Sequence, residues 1–498
     1  MKSLKYFSFF LLSILFITAC VKDKGNYSYT DLPDFLVDTA GTQTRFEVYQ
    51  SQGKVTIQPE IVYHAAPAEL KGLWRLYVSA GVFDTLSRKL TIDTVITRPP
   101  GTYTLEFEAT APNGLKALMQ YTVVVLPPIP SGWMVAYEMS GATEVDIFRA
   151  PEFIPGVRDT AYRAVYSKIN GAPMPGTPVS IHYFSTALTY IITSASGATV
   201  QNTDFRRAQT LQQMFAGATP ETFKPQALWP GSFNGAMLVN SGEVYWNTDN
   251  LFVGKVTVDL AGYRAAPYVY TQYGKQGGFY DELNRRFVTI EQQNSRAGKY
   301  ADAGPSARFN LNNIGKDLLW IERGFGQHSA TISDAYKYAF FKDVSGNARY
   351  LYVINTQTPD RPDIAAVNIS TAPEINDAKF YAVGNMGPAA FYATNRSLYN
   401  FQIDFNGNTI SAPVKGFEVP AGEEITCLKL FKGQGTFGVN TILADDSKFM
   451  YVATWNATTN EGKIYLLGVN ITSGQINSTP LKSWTVAGKV KDMGFKRS

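Results

Sequence analysis

Cysteine is almost missing from this chain. Cys20 and Cys427 are the only two in 498 residues, so no disulfide framework can hold the fold. Histidine is nearly as scarce. His64, His182 and His328 are the whole supply, and no two have the spacing of a zinc motif. No Gly-x-Ser-x-Gly elbow offers a hydrolase serine, and no glycine-rich loop is placed to cradle a phosphate. The sequence therefore names no catalytic residue, no metal site and no cofactor. Charge of one sign is also lacking: the net charge is +4, and basic residues adjoin only at pairs such as Arg206-Arg207 and Arg285-Arg286. That gives no footprint for nucleic acid. Beyond the first twenty residues, no apolar run reaches the ~20 residues that a membrane-crossing helix needs.

The chain does have a distinctive start. Lys2 and Lys5 form a short positive segment, followed by an apolar run from Tyr6 to Ile17 that only Ser8 and Ser13 interrupt. The run is too short to span a bilayer and has the length of a signal-peptide core. It ends in Ile17-Thr18-Ala19-Cys20, which resembles the lipobox of bacterial lipoproteins. That resemblance implies cleavage after residue 19 and lipid on Cys20, with several acyl chains giving a stable anchor. Residues 20–33 are expected to be a tether. Lys22 and Asp23, just past Cys20, resemble the export signals of surface lipoproteins in Bacteroidota. They imply a lipid-anchored protein of the outer membrane, exposed at the cell surface. Cys427 lies in the alternating stretch Ile425-Thr426-Cys427-Leu428 and is expected to be a buried small hydrophobe.

Residues 34–127 carry short strand patterns. Tyr103, Leu105 and Phe107 alternate onto one face, Pro112-Asn113-Gly114 supplies a turn, and Tyr121-Thr122-Val123-Val124-Val125 returns. Strands at this spacing suggest a β-sandwich. Gly101-Thr102-Tyr103-Thr104-Leu105, Ala111-Pro112-Asn113-Gly114 and the valine strand resemble the closing hairpin of PKD domains, with Trp74 at the place of that family's core tryptophan. The family's aspartate-glycine signature is absent, and Arg75-Leu76-Tyr77 stands there instead. With the lipobox and Gly25-Asn26-Tyr27, the layout resembles the PKD-like lipoproteins of Bacteroidota. Their genes often lie beside outer-membrane glycan- or peptide-uptake systems. Prolines 127, 128 and 130 then mark a stiff linker over residues 128–132.

From residue 133 to 498 the sequence repeats a plan of strand, turn and strand. Seven such pairs begin at Trp133, Val179, Ala236, Gly278, Ala339, Ala389 and Lys448. Their spacing is near the ~50 residues of a propeller blade. The expected fold is all-β: an Ig- or PKD-like sandwich followed by a β-propeller of about seven blades, with six or eight also fitting. Phe205, Ala208, Leu211 and Phe215 fall near helical spacing, which predicts a short helix over residues 204–215, capped by Asp204.

Ligand-binding candidates are His328, in a glycine-rich loop suited to a propeller mouth, and Trp229, Trp246 and Trp455, near turns or strand ends. Glycosidase chemistry needs two acids brought together. The adjacent pairs Glu423-Glu424 and Asp445-Asp446 point to opposite faces of a strand or belong to a turn. The expected role is a non-catalytic binding or accessory lipoprotein of a nutrient-uptake system, partnered by an outer-membrane transporter or surface lipoprotein complex and taking a glycan or peptide. Alternatives are a propeller glycan hydrolase or lyase, and a structural partner of an outer-membrane complex.

Overall fold

The computed structural model describes residues 35–40, 43–51, 54–63, 70–126, 129, 131–185, 187–217, 219–230, 236–248, 251–258, 262–272, 275, 277–291, 296–327, 335–432 and 445–497. Cys20, the tether, His64, prolines 127, 128 and 130, and His328 lie outside these residues. The chain divides into two compact units, residues 1–126 and 127–498.

The first unit is built around a five-stranded sheet. Its order is Arg45–Tyr49, Lys116–Leu126, Gly101–Thr110, Lys71–Ser79 and Val82–Ser87, with the first two strands parallel. The hairpin between Gly101–Thr110 and Lys116–Leu126 turns at Gly114, whose φ of 86° suits a residue without Cβ. Period-2 alternation puts Trp74, Leu105, Phe107, Tyr121 and Val123 in one core. Trp74 is fully buried and 4.5 Å from the Phe107 ring, and its indole N–H donates to the Lys89 carbonyl at 3.1 Å. Arg75 reaches from the same strand to Glu106 at 3.0 Å and Glu108 at 2.9 Å. A cross-strand ion cluster thus sits where the aspartate-glycine signature was missing.

The second unit is a β-propeller. Seven sheets occur among its described residues, antiparallel except where Thr257–Val258 adds parallel to Arg296–Gly298, and each contains one of the seven strand pairs read from the sequence. The innermost strands of blades 2 to 7 are Pro178–Tyr183, Pro225–Pro230, Ala265–Tyr270, Asp317–Gln327, Phe380–Val383 and Glu424–Leu430. Blade 1 is closed differently. Its innermost strand is Lys489–Lys496, which pairs antiparallel with Gly132–Met139. Neighbouring inner strands touch around the full ring.

Seven apolar clusters fill the gaps between successive blades. Alternate residues of a strand serve different gaps. Trp133, Val135 and Tyr137 pack toward blade 7, while Met134 and Ala136 pack toward blade 2. Strands buried on both faces read as continuous apolar runs, which accounts for sequences such as Ala389-Ala390-Phe391-Tyr392-Ala393. Trp133 stacks on Tyr451 with centroids 4.0 Å apart, joining the first blade to the last. Cys427 is buried in this junction, and burial pushes its thiol up to about 12.

The helix expected over residues 204–215 is not formed. Arg207–Thr210 is the outer strand of blade 2, followed by a 3-10 turn at Gln212–Met214. Phe205, at φ 60°, turns the chain into that strand, and Asp204 accepts from the Arg206 N–H at 3.0 Å instead of capping a helix. Phe205 and Leu211 are fully buried, but from opposite ends of a strand. Their spacing mimicked a helical face because a turn and a strand separate them.

Candidate functional site

The inner strands surround a central channel of about 490 Å3, within the ~300–1,000 Å3 common for ligand sites. Six of the seven inner strands contribute to its lining, blade 6 being the exception among the described residues. Blade 2 gives His182, blade 3 Trp229, blade 4 Tyr268, blade 5 Trp320, Glu322 and Arg323, blade 7 Lys429, and blade 1 Asp492; Lys432 and Arg497 line it just past strand ends. Trp229 and Trp320 are half-buried, and Trp229 lies 5.1 Å from the imidazole of His182.

Two ion pairs brace the wall. Lys432 Nζ lies 3.0 Å from Glu322 Oε1, which also accepts the Val383 N–H at 2.6 Å. Lys429 Nζ lies 2.7 Å from Asp492 Oδ1, and Asp492 Oδ2 accepts the Ile181 N–H at 2.8 Å. Blades 5, 6, 7, 1 and 2 are thereby tied together around the axis. Burial pushes the Glu322 carboxyl above, and the Lys432 amine below, their usual ranges, while their mutual contact opposes both shifts. Burial, helped by the positive charges of Lys429 and Arg323, pushes His182 down to about 3, so its imidazole is neutral at ordinary pH.

The two arginines differ from the lysines. Neither Arg323 nor Arg497 has a carboxylate at ion-pair distance among the described residues, and the Nη2 of each is buried without a hydrogen-bond partner. Burial lowers the pKa of both guanidiniums. Unpartnered buried donors are uncommon in native proteins. His182 Nε2 is a third unpartnered group in this wall.

Of the residues nominated from sequence, Trp229 reaches the channel. Trp246 is buried between blades 3 and 4, and Trp455 lies at the end of the strand Phe449–Asn456, off the channel lining. The adjacent acids part company. Glu423 is buried against Thr454, Lys463 and Tyr465, whereas Glu424 is exposed. Asp446 is buried and bonded to Asn385 and Ser447, whereas Asp445 pairs with Lys448 near the surface. Among the described residues no three His, Cys, Asp or Glu side chains gather to hold a metal. Sequence reasoning missed Arg323, Lys429, Lys432, Asp492 and Arg497. Their signal was a charge inside or just beyond an apolar strand, as in Cys427-Leu428-Lys429-Leu430-Phe431-Lys432.

Trp74, its hairpin and the parallel first strand describe a module seen in other proteins. Residues 20–178 match the PKD-like family. The PKD-like match runs past the sandwich, which ends at Leu126, and through the sheet of blade 1 to the first residue of blade 2. No curated protein gives a significant match. Among solved structures, a quinoprotein alcohol dehydrogenase-like protein from Bacteroides thetaiotaomicron is similar at 13% identity and a TM-score of 0.39, covering 94% of this chain and 100% of that one. Hsv2 from Kluyveromyces marxianus is similar at 7% identity and a TM-score of 0.39, covering 76% of this chain and 94% of its own. The Dos1 propeller is similar at 9% identity and a TM-score of 0.38, covering 63% and 72%. Likeness this distant carries no activity across. The propeller is read from its own closed ring of sheets.

Proposed function

We propose that this chain is an exported lipoprotein of the outer membrane, anchored through Cys20 and displayed at the cell surface. Its propeller channel binds a small ligand on behalf of a glycan- or peptide-uptake system. The observation that carries the reading is the channel itself: ligand-sized, with two half-buried tryptophans beside buried donors that find no partner among the described residues. A convergent, partly apolar pocket with a few unsatisfied polar groups is what small-molecule recognition uses.

The hydrolase or lyase alternative finds two channel carboxylates, Glu322 and Asp492. Each is spent on a lysine and a backbone N–H in the wall, which favours binding over acid–base work. The test is a pull-down of the Cys20-anchored protein from native membranes, after mild crosslinking, with mass spectrometry of what accompanies it. Recovery of an outer-membrane transporter or surface lipoprotein supports the reading. Recovery of neither, from a protein shown to be membrane-bound, counts against the uptake role.

A further inference from the structure

We infer that the channel ligand is an acid: a ring compound bearing a carboxylate, held by Arg323 and Arg497 with its ring against Trp229 or Trp320. The inference rests on the channel being the ligand site and names the class of molecule that fits it.

The argument is one of charge balance. Lys432 is matched by Glu322 and Lys429 by Asp492, so the two ion pairs leave no net charge. Two further lysines line the cavity, Lys491 at 3.8 Å from Glu138 and the buried Lys337, and beside them Arg323 and Arg497 have no carboxylate at ion-pair distance among the described residues. A guanidinium withdrawn from water without an anion is costly, and here two line the same cavity. Their Nη2 atoms have no hydrogen-bond partner among the described residues, and burial dominates the shift of each. Asp446 and Glu322 favour the charged form of Arg323 from beyond ion-pair distance, but a neutral ligand would still leave the fork of each guanidinium without a direct anion. A carboxylate matches the planar guanidinium fork, and charge-assisted hydrogen bonds are roughly twice as strong as neutral ones. The rest of the ligand must suit half-buried indole faces, which favour flat or ring-shaped bodies. Lys429, Lys432 and Lys491 already face carboxylates, so the two guanidiniums are the groups assigned to the charged end. Acidic sugars and aromatic acids share this chemistry.

The experiment is isothermal titration of the mature full-length chain with galacturonate and with benzoate. Each is paired with its neutral counterpart, galactose and benzamide. One acid should bind at least tenfold more tightly than its counterpart, and more weakly as salt is raised. Which acid binds separates the sugar source from the aromatic one. Arg323→Gln should lose tenfold or more in affinity, and Arg323→Lys should recover part of it. A Tm like that of the parent certifies each variant's fold, and Arg497→Gln is the second reporter should Arg323→Gln misfold. Equal binding of acid and neutral counterpart overturns the acidic class while leaving the channel as a binding site. Unchanged affinity in both arginine variants overturns the assignment of the charged end. No binding by any of the four probes to folded protein overturns the inference, while the membrane pull-down still decides the uptake role separately.

Discussion

Replacing Lys432 by Met gives the sharpest test of how the channel wall is held. The side chains of Lys432 and Glu322 are 11% and 16% exposed, and their charged atoms are 3.0 Å apart. Lys432 Nζ also donates to the Arg323 carbonyl at 2.5 Å. Removing one partner of a buried pair typically costs about 3–5 kcal/mol, because the other charge is left uncompensated. Here the Val383 N–H still supports Glu322, and the positive charge of Lys429 still favours its ionised form, so the expected loss is about 2–4 kcal/mol at pH 7. The effect should depend on pH. The Glu322 carboxyl is already raised in the folded state, and removing the ammonium raises it further. A carboxyl raised on folding binds more protons in the native state, so stability falls as pH rises from the unfolded pKa through the folded one. The variant's deficit should therefore shrink as pH is lowered toward 4. Urea unfolding of the full chain, followed at pH 7 and pH 4.5, reads both effects, and Glu322→Gln with Lys432→Met should recover most of the loss. A deficit below about 0.5 kcal/mol at pH 7, the size of an ordinary surface change, would refute the bracing role. A deficit that does not change with pH would refute the account of Glu322.

Other outcomes follow from particular residues. Gly488 has no room for a side chain, since a Cβ there would lie 2.2 Å from the Glu138 carbonyl oxygen; Gly488→Ala should cost about 1–3 kcal/mol in denaturant unfolding, the range of overpacked sites. The His182 imidazole, pushed down to about 3, should show no titration by NMR between pH 8 and pH 5. Because its folded pKa lies below the unfolded value, it should erode stability as pH falls from about 6.5 toward 3; an NMR midpoint near 6.5 would refute its burial from charge. Cys20→Ser should abolish incorporation of labelled palmitate and release the protein from membranes, and continued labelling would remove the lipid anchor from the proposal.

The propeller was legible in sequence because each blade's central strands are buried on both faces. Runs such as Phe340-Phe341 before Tyr350-Leu351-Tyr352 therefore stand out from their turns. The channel was not legible. Its residues come one or a few at a time from inner strands, and only ring closure brings Glu322 to Lys432 or Asp492 to Ile181. The tryptophan candidates show the same limit from another side. Trp229 and Trp246 lie in the same blade, yet one lines the axis and the other fills a gap, because strand position within a blade decides exposure and composition does not reveal it. The mistaken helix at 204–215 arose where apolar residues flank a turn and a short strand.

The strand that completes blade 1 has a consequence for how the molecule is made. Trp133 and Met493, in contact across that sheet, are 360 positions apart in the chain. Until Lys489–Lys496 is in place, Gly132–Met139 has an open edge able to pair with another chain. Contacts of such long range also form late and slowly. Removing Lys489–Lys496 would lose more than those residues: the ring would stay open, and its exposed edge would invite proteolysis or aggregation. Closure of the first blade by a strand so distant in sequence thus makes the ring's integrity depend on its longest-range pairing, since Gly132–Met139 cannot hide its edge without Lys489–Lys496.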